Sequence, residues 1–185
     1  MKRKQNKPTI SKQELLLQRA NEFKFNTKEL TKHKITIVKC SQMTEQQMNE
    51  VFTITKDNMY DYDINSSLGW DDKEKMEEMR QKDGFYILFD EGFVCIRFER
   101  IGKGIMCYLW EIQIKKQFQH QGIGTEMIRV IDVICKQTRC SQLNLLCLFT
   151  NVNAKSFYDK LGFIQKEEYN SPDYDYWILT REYSY

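Results

Sequence analysis

At 185 residues, 41% of them hydrophobic and 29% charged, the chain is long enough for one sizeable core and short for two, so one domain with an appendage is expected. There is no run of eighteen apolar residues, and the N-terminal stretch is basic and polar without an apolar segment, so neither a membrane-spanning helix nor a secretory signal is expected. Only His33 and His120 are available as histidines and the six cysteines form no C-x-x-C pair, which argues against zinc chemistry and His-based triads. Cys40, Cys95, Cys107, Cys135, Cys140 and Cys147 read as small buried hydrophobes in a reducing compartment.

The net charge of +2 conceals an asymmetry. Residues 1–39 carry eleven Lys and Arg against three Glu, a balance of +8, whereas residues 40–185 carry seventeen against twenty-three Asp and Glu, a balance of −6. A basic arm (residues 1–34) therefore precedes an acidic globule (residues 35–185). Such a globule repels nucleic acid and favours a cationic partner. The arm reads either as a solvated tail or as a segment for nuclear targeting or contact with ribosome or chromatin.

In chain order, Ser11 to Phe25 predicts a helix with Ser11 as N-cap and Glu14 completing a capping box; Leu15, Leu16, Ala20 and Phe23 supply a narrow apolar face. Ile35 to Cys40 predicts a strand. Thr44 opens a helix burying Met48, Val51, Phe52 and Ile54, which gives way to a loop over MYDYDINSSLGW. Asp71 caps a second helix, expected to end at Gly84 as its C′ glycine. Phe85–Asp90 and Phe93–Ile101 predict a hairpin, and Gly102 to Gly104 turns the chain into a third strand.

That strand, Met106 to Ile114, is rich in aromatic and β-branched residues and leads through Gln119-His-Gln-Gly122-Ile-Gly124 into a helix. Ile123, Met127, Val130, Ile131 and Ile134 form the helix's apolar stripe. A strand feeding a helix through a glycine turn presents free backbone N–H groups and the positive end of the helix dipole, a site suited to phosphate. A tight turn without a ligand is the alternative. The turn lacks the third glycine and acidic partner of a dinucleotide fingerprint and the Lys-Ser/Thr of a P-loop. Leu143 to Phe149 predicts a central strand, Asn151 onward a short helix closed by Gly162, Phe163 to Lys166 a strand, and Tyr174 to Glu182 the last strand.

Gln-x-x-Gly-x-Gly over Gln119–Gly124 resembles the pyrophosphate loop of the GCN5-related N-acetyltransferase (GNAT) superfamily. About thirty residues on, Asn151, Ala154, Tyr158 and Gly162-Phe163 resemble that family's Asn-x-x-Ala-x-x-x-Tyr-x-x-x-Gly-Phe segment. The resemblance implies an α/β (α+β) fold in the order β-α-α-β-β-β-α-β-α-β-β: a single GNAT domain with a mixed, twisted sheet of about six to seven strands, helices on both faces, and the basic helical arm. It implies acetyl-CoA as cofactor, held by Ile112, Ile114, Gln119, Gln121, Gly122, Ile123, Gly124, Thr125 and Asn151, with Tyr158 near the thioester sulfur.

Roughly residues 51 to 181 resemble one branch more closely. Asn58-Met59, Gly69-Trp70, Lys73-x-Lys75-x-Glu77-Glu78-Met79, Arg97-Phe98-Glu99 and Cys107-Tyr108-x-x-Glu111-x-Gln113 are similar to NatD-type histone N-terminal acetyltransferases. These acetylate the α-amino group of histone four and histone two-A. The branch implies Glu111 as general base and Asp63, Trp70, Glu99, Tyr108, Trp110 and Tyr176 as peptide contacts. It also implies a protein N-terminal peptide as partner, a monomer in cytoplasm and nucleus, and no direct nucleic-acid or membrane contact. Leu68 replaces a Trp of the branch, Asp63 and Trp110 replace Tyr, and Glu99 replaces Asp, so the pocket for the first residues is remodelled.

The chemistry has its own requirements. An α-ammonium with a pKa of roughly 7.7–8.0 must lose a proton before it attacks a thioester, so a base within hydrogen-bond reach or one water away is needed. Glu111, bracketed by Trp110 and Ile112, can be that base, raised by desolvation, or a strand-edge carboxylate paired to a Lys. In a regular strand Tyr108 and Trp110 share one face and Glu111 takes the other; all three line one site only if a β-bulge lies near Trp110. Asp57, Asp61, Asp63, Asp71 and Asp72 before and around Trp70, with Asp173 and Asp175, can flank the amine site for a basic tail or be solvated surface acids. A GNAT enzyme acting on a lysine, a polyamine or another N-terminus, and a non-catalytic acyl-CoA-binding module, remain as alternatives.

Overall fold

The computed structural model describes residues 11–26, 30–80, 83–166, 168 and 171–185. Its elements are α1 (Lys12–Asn21), β1 (Ile35–Lys39), α2 (Glu45–Asp63), α3 (Asp72–Met79), β2 (Gly84–Phe89), β3 (Gly92–Ile101), β4 (Gly104–Ile114), α4 (Ile123–Thr138), β5 (Gln142–Leu148), α5 (Val152–Lys160), β6 (Ile164–Gln165) and β7 (Tyr176–Glu182). The seven strands form one mixed sheet, as the resemblance implies, in the order β1-β2-β3-β4-β5-β7-β6. Its one parallel pair is β4–β5, the pair that needs a helical crossover, and α4 supplies it.

Period-two alternation divides the side chains between the two faces. Phe85, Ile87, Phe89, Val94, Ile96, Phe98, Ile105, Cys107 and Leu109 enter one core with Met127, Ile128, Ile131 and Ile134 of α4. Tyr86, Phe93 and Cys95 enter the other, with Met48, Val51 and Ile54 of α2 and Met79 of α3. Each face is thus sealed by its own helices. The residues of β3 and β4 that alternate with the first core, Arg97, Glu99, Tyr108 and Trp110 among them, face the side of α2 and α3.

The helices start where their caps predict. Ser11 and Glu14 form one capping box and Thr44 and Gln47 another. Helix α1 ends at Asn21 with Glu22 as C-cap, four residues short of the predicted Phe25, and two further helix boundaries differ from the sequence prediction. Helix α2 does not break before Met59 but runs to Asp63, because Asn65 Nδ2 donates to Asp61 O at 2.7 Å and Ser66 Oγ to Asp63 O at 2.8 Å, satisfying carbonyls at its C-terminal end. Helix α3 ends at Met79 with Arg80 as C-cap. Gly84 therefore opens β2 and does not close a helix; the last two residues of the predicted helix, 81–82, lie outside the described residues, as do the first ten of the basic arm.

The described part of the arm docks. Gln13 Nε2 donates to Gly102 O at 2.9 Å and Gly104 O at 3.1 Å, and Glu14 pairs with Arg100 at 3.1 Å. Ala20 is buried and Leu16 and Leu17 pack against the same core as α4. An acidic side chain at Ala20 should undock α1: Ala20→Glu is expected to lower stability by about 1–3 kcal/mol, read as a lower Tm, and to open the segment before Phe25 to limited proteolysis.

Candidate active site

One irregularity arranges the site. Strands β3 and β4 pair Cys95 with Glu111 and Ile96 with Leu109, so Trp110 is the extra residue of a β-bulge. Ahead of the bulge Tyr108 and Trp110 point toward α2 and α3; behind it Glu111 and Gln113 do so as well, while Ile112 and Ile114 turn toward the α4 core. The Tyr108 and Trp110 rings lie 5.5 Å apart. Beyond Leu109 and its partner Leu145, β4 and β5 no longer pair, and a cleft opens between the end of β4 and the end of β5.

Glu111 is nearly buried, its side chain 10% exposed, with both oxygens engaged. Oε1 lies 2.9 Å from Lys75 Nζ and Oε2 accepts from Gln113 Nε2 at 2.9 Å. The chain of bonds continues: Asn58 Nδ2 donates to Gln113 Oε1 at 3.0 Å and Ile114 O at 2.9 Å, and Gln119 Nε2 donates to Ile114 O at 3.0 Å. A polar network thus runs from α3 through β4 to the first residue of the glycine loop. Lys75 also pairs with Glu78 at 3.3 Å and lies 6.0 Å above the Trp70 ring. Burial works against its charge, but Glu111, Glu78 and Asp63 outweigh that and hold its ammonium above the usual lysine range.

Asp63 was expected in a loop at the mouth; it is instead the last residue of α2, 4% exposed, with Oδ1 unpartnered among the described residues. Burial raises its carboxyl to about 7; Lys75 opposes that rise, and Glu111 and Glu78 add to it.

Beyond the cleft, β4 leads through a short 3-10 turn (Lys116–Phe118) into Gln119 and the start of α4. Gly122 holds the N-cap position at φ +84°, left-handed backbone that favours glycine, and no side chain caps the helix. Gly124 is required for a different reason: a Cβ there would come within 3.1 Å of the Phe157 ring. First-turn N–H groups of Ile123, Gly124 and Thr125 have no intrahelical acceptor, so the turn presents donors and the positive helix end to an anion. Gln121 Nε2 folds back onto Gln117 O at 2.8 Å. These features fit a pyrophosphate.

Across the cleft, Asn151 caps α5, its Oδ1 accepting from Ala154 N at 3.1 Å. Tyr158 is buried against Phe163 and Phe157, with ring centroids 5.4 and 5.2 Å away. Burial first, then Cys147 and Glu111, push its phenol well above the usual tyrosine value, so it keeps its proton at neutral pH.

The remaining expected contacts form an aromatic and charged wall. Arg97 stacks 3.6 Å over Trp110 and 5.8 Å from Tyr108, and its Nε lies 2.8 Å from Glu99. Tyr108 is raised to about 12, chiefly by burial; Arg97 lowers it, and Glu99, Tyr176 and Glu111 raise it. Tyr176 stacks on Tyr174 at 4.7 Å. Trp70 packs on Tyr60 and Phe52 and donates Nε1–H to Asp72 at 2.6 Å. Several of the acids have internal duties: Asp71 caps α3, Asp72 also pairs with Lys56, and Asp175 accepts from Ser67 N and Oγ at 2.6 Å, tying the α2–α3 loop to the approach of β7. Asp57 lines a separate cavity of about 540 Å³ between α2 and Lys115–Gln117, beside the network and not over Glu111. Among the described residues no cluster of His, Cys, Asp or Glu suits a metal ion.

Sequence reasoning named Lys75, Arg97 and Asn58 only as parts of motifs. Their roles here depend on contacts across the fold; the one signal was that a Lys partner had been an alternative for Glu111.

The acetyltransferase (GNAT) family matches residues 48–163 of the chain. The uncharacterized protein YdhI of Bacillus subtilis is 30% identical over 83 residues, 44% of this chain and 49% of that protein. A thialysine N-epsilon-acetyltransferase of Bos taurus is 37% identical over 60 residues, 32% of this chain and 35% of that protein. The matched stretches thus span half or less of these curated relatives. The solved structure of Arabidopsis thaliana Naa50 in complex with the bisubstrate analogue CoA-Ac-MVNAL has the same fold, with a TM-score of 0.55 and 14% identity over 80% of this chain and 99% of that one.

Asp63 provides a test of the buried network. An acid raised from 3.8 to about 7 holds its proton more tightly in the folded chain, so its stabilising contribution is complete below pH about 4 and lost as pH rises through about 7. Asp63→Asn, neutral throughout, should exceed the parent in stability at pH 8, on the order of 2–4 kcal/mol from that shift, and converge with it at about pH 4. Denaturant unfolding at the two pH values measures this.

Proposed function

The chain belongs to the acetyltransferase (GNAT) family, and from that premise we propose that it transfers acetyl from acetyl-CoA to the α-amino group of a protein N-terminus followed by a basic tail. The histone-four and histone-two-A tails that NatD-type enzymes modify are the substrates the resemblance favours. The observation that carries the reading is the bulge at Trp110, which turns Glu111 onto the same face as Tyr108 and Trp110, beside the uncapped start of α4.

When bound, acetyl-CoA supplies the acetyl group as a thioester. Gly122, Ile123, Gly124 and Thr125 are assigned its pyrophosphate through their backbone N–H groups, with Gln119 and Gln121 shaping the loop, and Ile112, Ile114 and Asn151 lining its arm. Glu111, through a water, takes a proton from the substrate ammonium and leaves the nitrogen lone pair free to attack. Backbone N–H groups of β4 past the bulge are assigned to the developing oxyanion. Tyr158 holds a proton at its phenol oxygen that can be given to the leaving thiolate. Glu78 and Glu111 flank one lysine, leaving an acidic excess that attracts a cation. Glu99 and Trp70, with Tyr108, Trp110 and Tyr176, are assigned the first residues of the peptide. Turnover in cytoplasm and nucleus, by a monomer, belongs to the same proposal.

A second reading, transfer to a side-chain or small-molecule amine, is favoured by the 37% identical segment shared with the thialysine enzyme. Mass spectrometry of a histone-four N-terminal peptide after incubation with acetyl-CoA separates the two. Acetylation of the free α-amine and none of the α-blocked peptide is expected; equal acetylation of both would contradict the α-amine reading and favour lysine. Glu111→Gln should lose about 10²–10⁴-fold in turnover while still binding coenzyme A, measured by calorimetry.

A further inference from the structure

The carboxylate read as the base already has two partners. Glu111 Oε1 holds the Lys75 ammonium at 2.9 Å, and Oε2 accepts from Gln113 Nε2 at 2.9 Å. The substrate is itself an ammonium bound for the same carboxylate, so one of these partners has to give way. The two differ in how firmly they are held. Gln113 is buried, and Asn58 Nδ2 anchors its amide oxygen from α2 at 3.0 Å. Lys75 stands on a flexible stem and has a second carboxylate within reach on its own helix: Glu78, about one turn on, lies 3.3 Å from the same nitrogen. That nitrogen also lies 6.0 Å over the ring of Trp70, a residue assigned to the peptide. Burial opposes the lysine's charge and the neighbouring carboxylates outweigh it, so Lys75 stays an ammonium at neutral pH.

We propose that Lys75 is a positioning residue that holds the place of the substrate amine, pairing with Glu111 in the free protein and withdrawing to Glu78 when the amine arrives. The exchange follows from charge. A carboxylate as enclosed as Glu111, its side chain 10% exposed, is costly without a cation, and Lys75 supplies one until the substrate does. Two ammonium groups repel each other at one oxygen, so arrival of the second, directly or through one water, drives the first toward Glu78. The free site sets one ammonium against both Glu78 and Glu111; with the amine bound, each carboxylate has its own cation. Lys75 keeps its proton throughout, and the only proton that moves is the one Glu111 takes from the substrate. The product amide carries no charge, so once Glu111 has passed that proton to solvent the lysine reclaims Oε1. An acetylated chain end has no charge with which to displace Lys75, which adds discrimination against blocked termini. The inference deepens the reading of Glu111 as the group that receives the amine, and rests on it.

A double-mutant cycle separates this exchange from general attraction between an acidic site and a cationic peptide. Glu78→Gln takes away the second carboxylate, so KM for a free-amine peptide should rise about two- to fivefold, with the effect on KM and not on kcat. In a Lys75→Met background the same substitution should leave KM where it was, because no lysine has to be received. An equal rise in both backgrounds would overturn the proposal. A second measurement needs neither variant nor turnover. In the protein loaded with coenzyme A, nuclear Overhauser contacts from the Lys75 ε-methylene to Glu111 should weaken, and those to Glu78 strengthen, when the free-amine peptide is added; the α-acetylated peptide should change neither. Contacts that stay the same with a free-amine peptide that the protein acetylates would overturn the exchange and leave the transfer reading standing. A free-amine peptide neither bound nor acetylated would overturn the transfer reading, and the exchange with it.

Discussion

A strand that alternates faces cannot place both Trp110 and Glu111 on the side of Tyr108, and the extra residue at Trp110 removes that constraint. Up to Leu109, β4 obeys the alternation that builds the α4 core. One unpaired residue shifts the register against β3, and from Glu111 onward the polar side chains fall on the α2–α3 face while Ile112 and Ile114 continue the apolar one. The same shift coincides with the end of pairing to β5 and so with the mouth of the cleft. The polarity of the α2–α3 face and the apolar packing of Ile112 and Ile114 follow from a single added residue.

The charges behind the bulge are arranged by burial. A carboxylate as enclosed as Glu111 would be costly alone, and Lys75 from α3 compensates it at 2.9 Å. That pairing ties α3 to β4, and Asn58 and Gln113 tie α2 to the same strand, so the helices over the site are held by the site's own polar groups. On the neighbouring stretch Arg97 is spread over Trp110 and bound to Glu99. The aromatic wall is therefore partly neutralised, while Lys75 is shared by two carboxylates, Glu78 and Glu111.

Much of this was legible in the sequence because local rules governed it. Ser11-x-x-Glu14 and Thr44-x-x-Gln47 announced two helix starts, the stripe from Ile123 to Ile134 announced α4, and the order of elements followed from alternating periods. The bulge was inferred from a geometric conflict, the need for Tyr108, Trp110 and Glu111 on one face. What local rules could not carry was set by tertiary contacts. Helix α2 extends to Asp63 because side chains beyond its end satisfy its carbonyls, in a stretch whose periodicity is weak. That extension turned Asp63 from a rim acid into a buried one. The partner of Glu111 lies on an element 36 residues earlier in the chain, and no spacing rule connects the two.

The most direct test of the central claim is a crystal structure of the protein with a bisubstrate analogue in which coenzyme A is joined through an acetyl bridge to the α-nitrogen of a histone-four N-terminal peptide. The account predicts the bridging nitrogen within hydrogen-bond reach of Glu111 or one water away, on the Tyr108 and Trp110 side of the bulge, with the pyrophosphate on the amides from Gly122 to Thr125. A nitrogen held elsewhere, with Lys75 and Gln113 still closing off both oxygens of Glu111 and no water between, would contradict it.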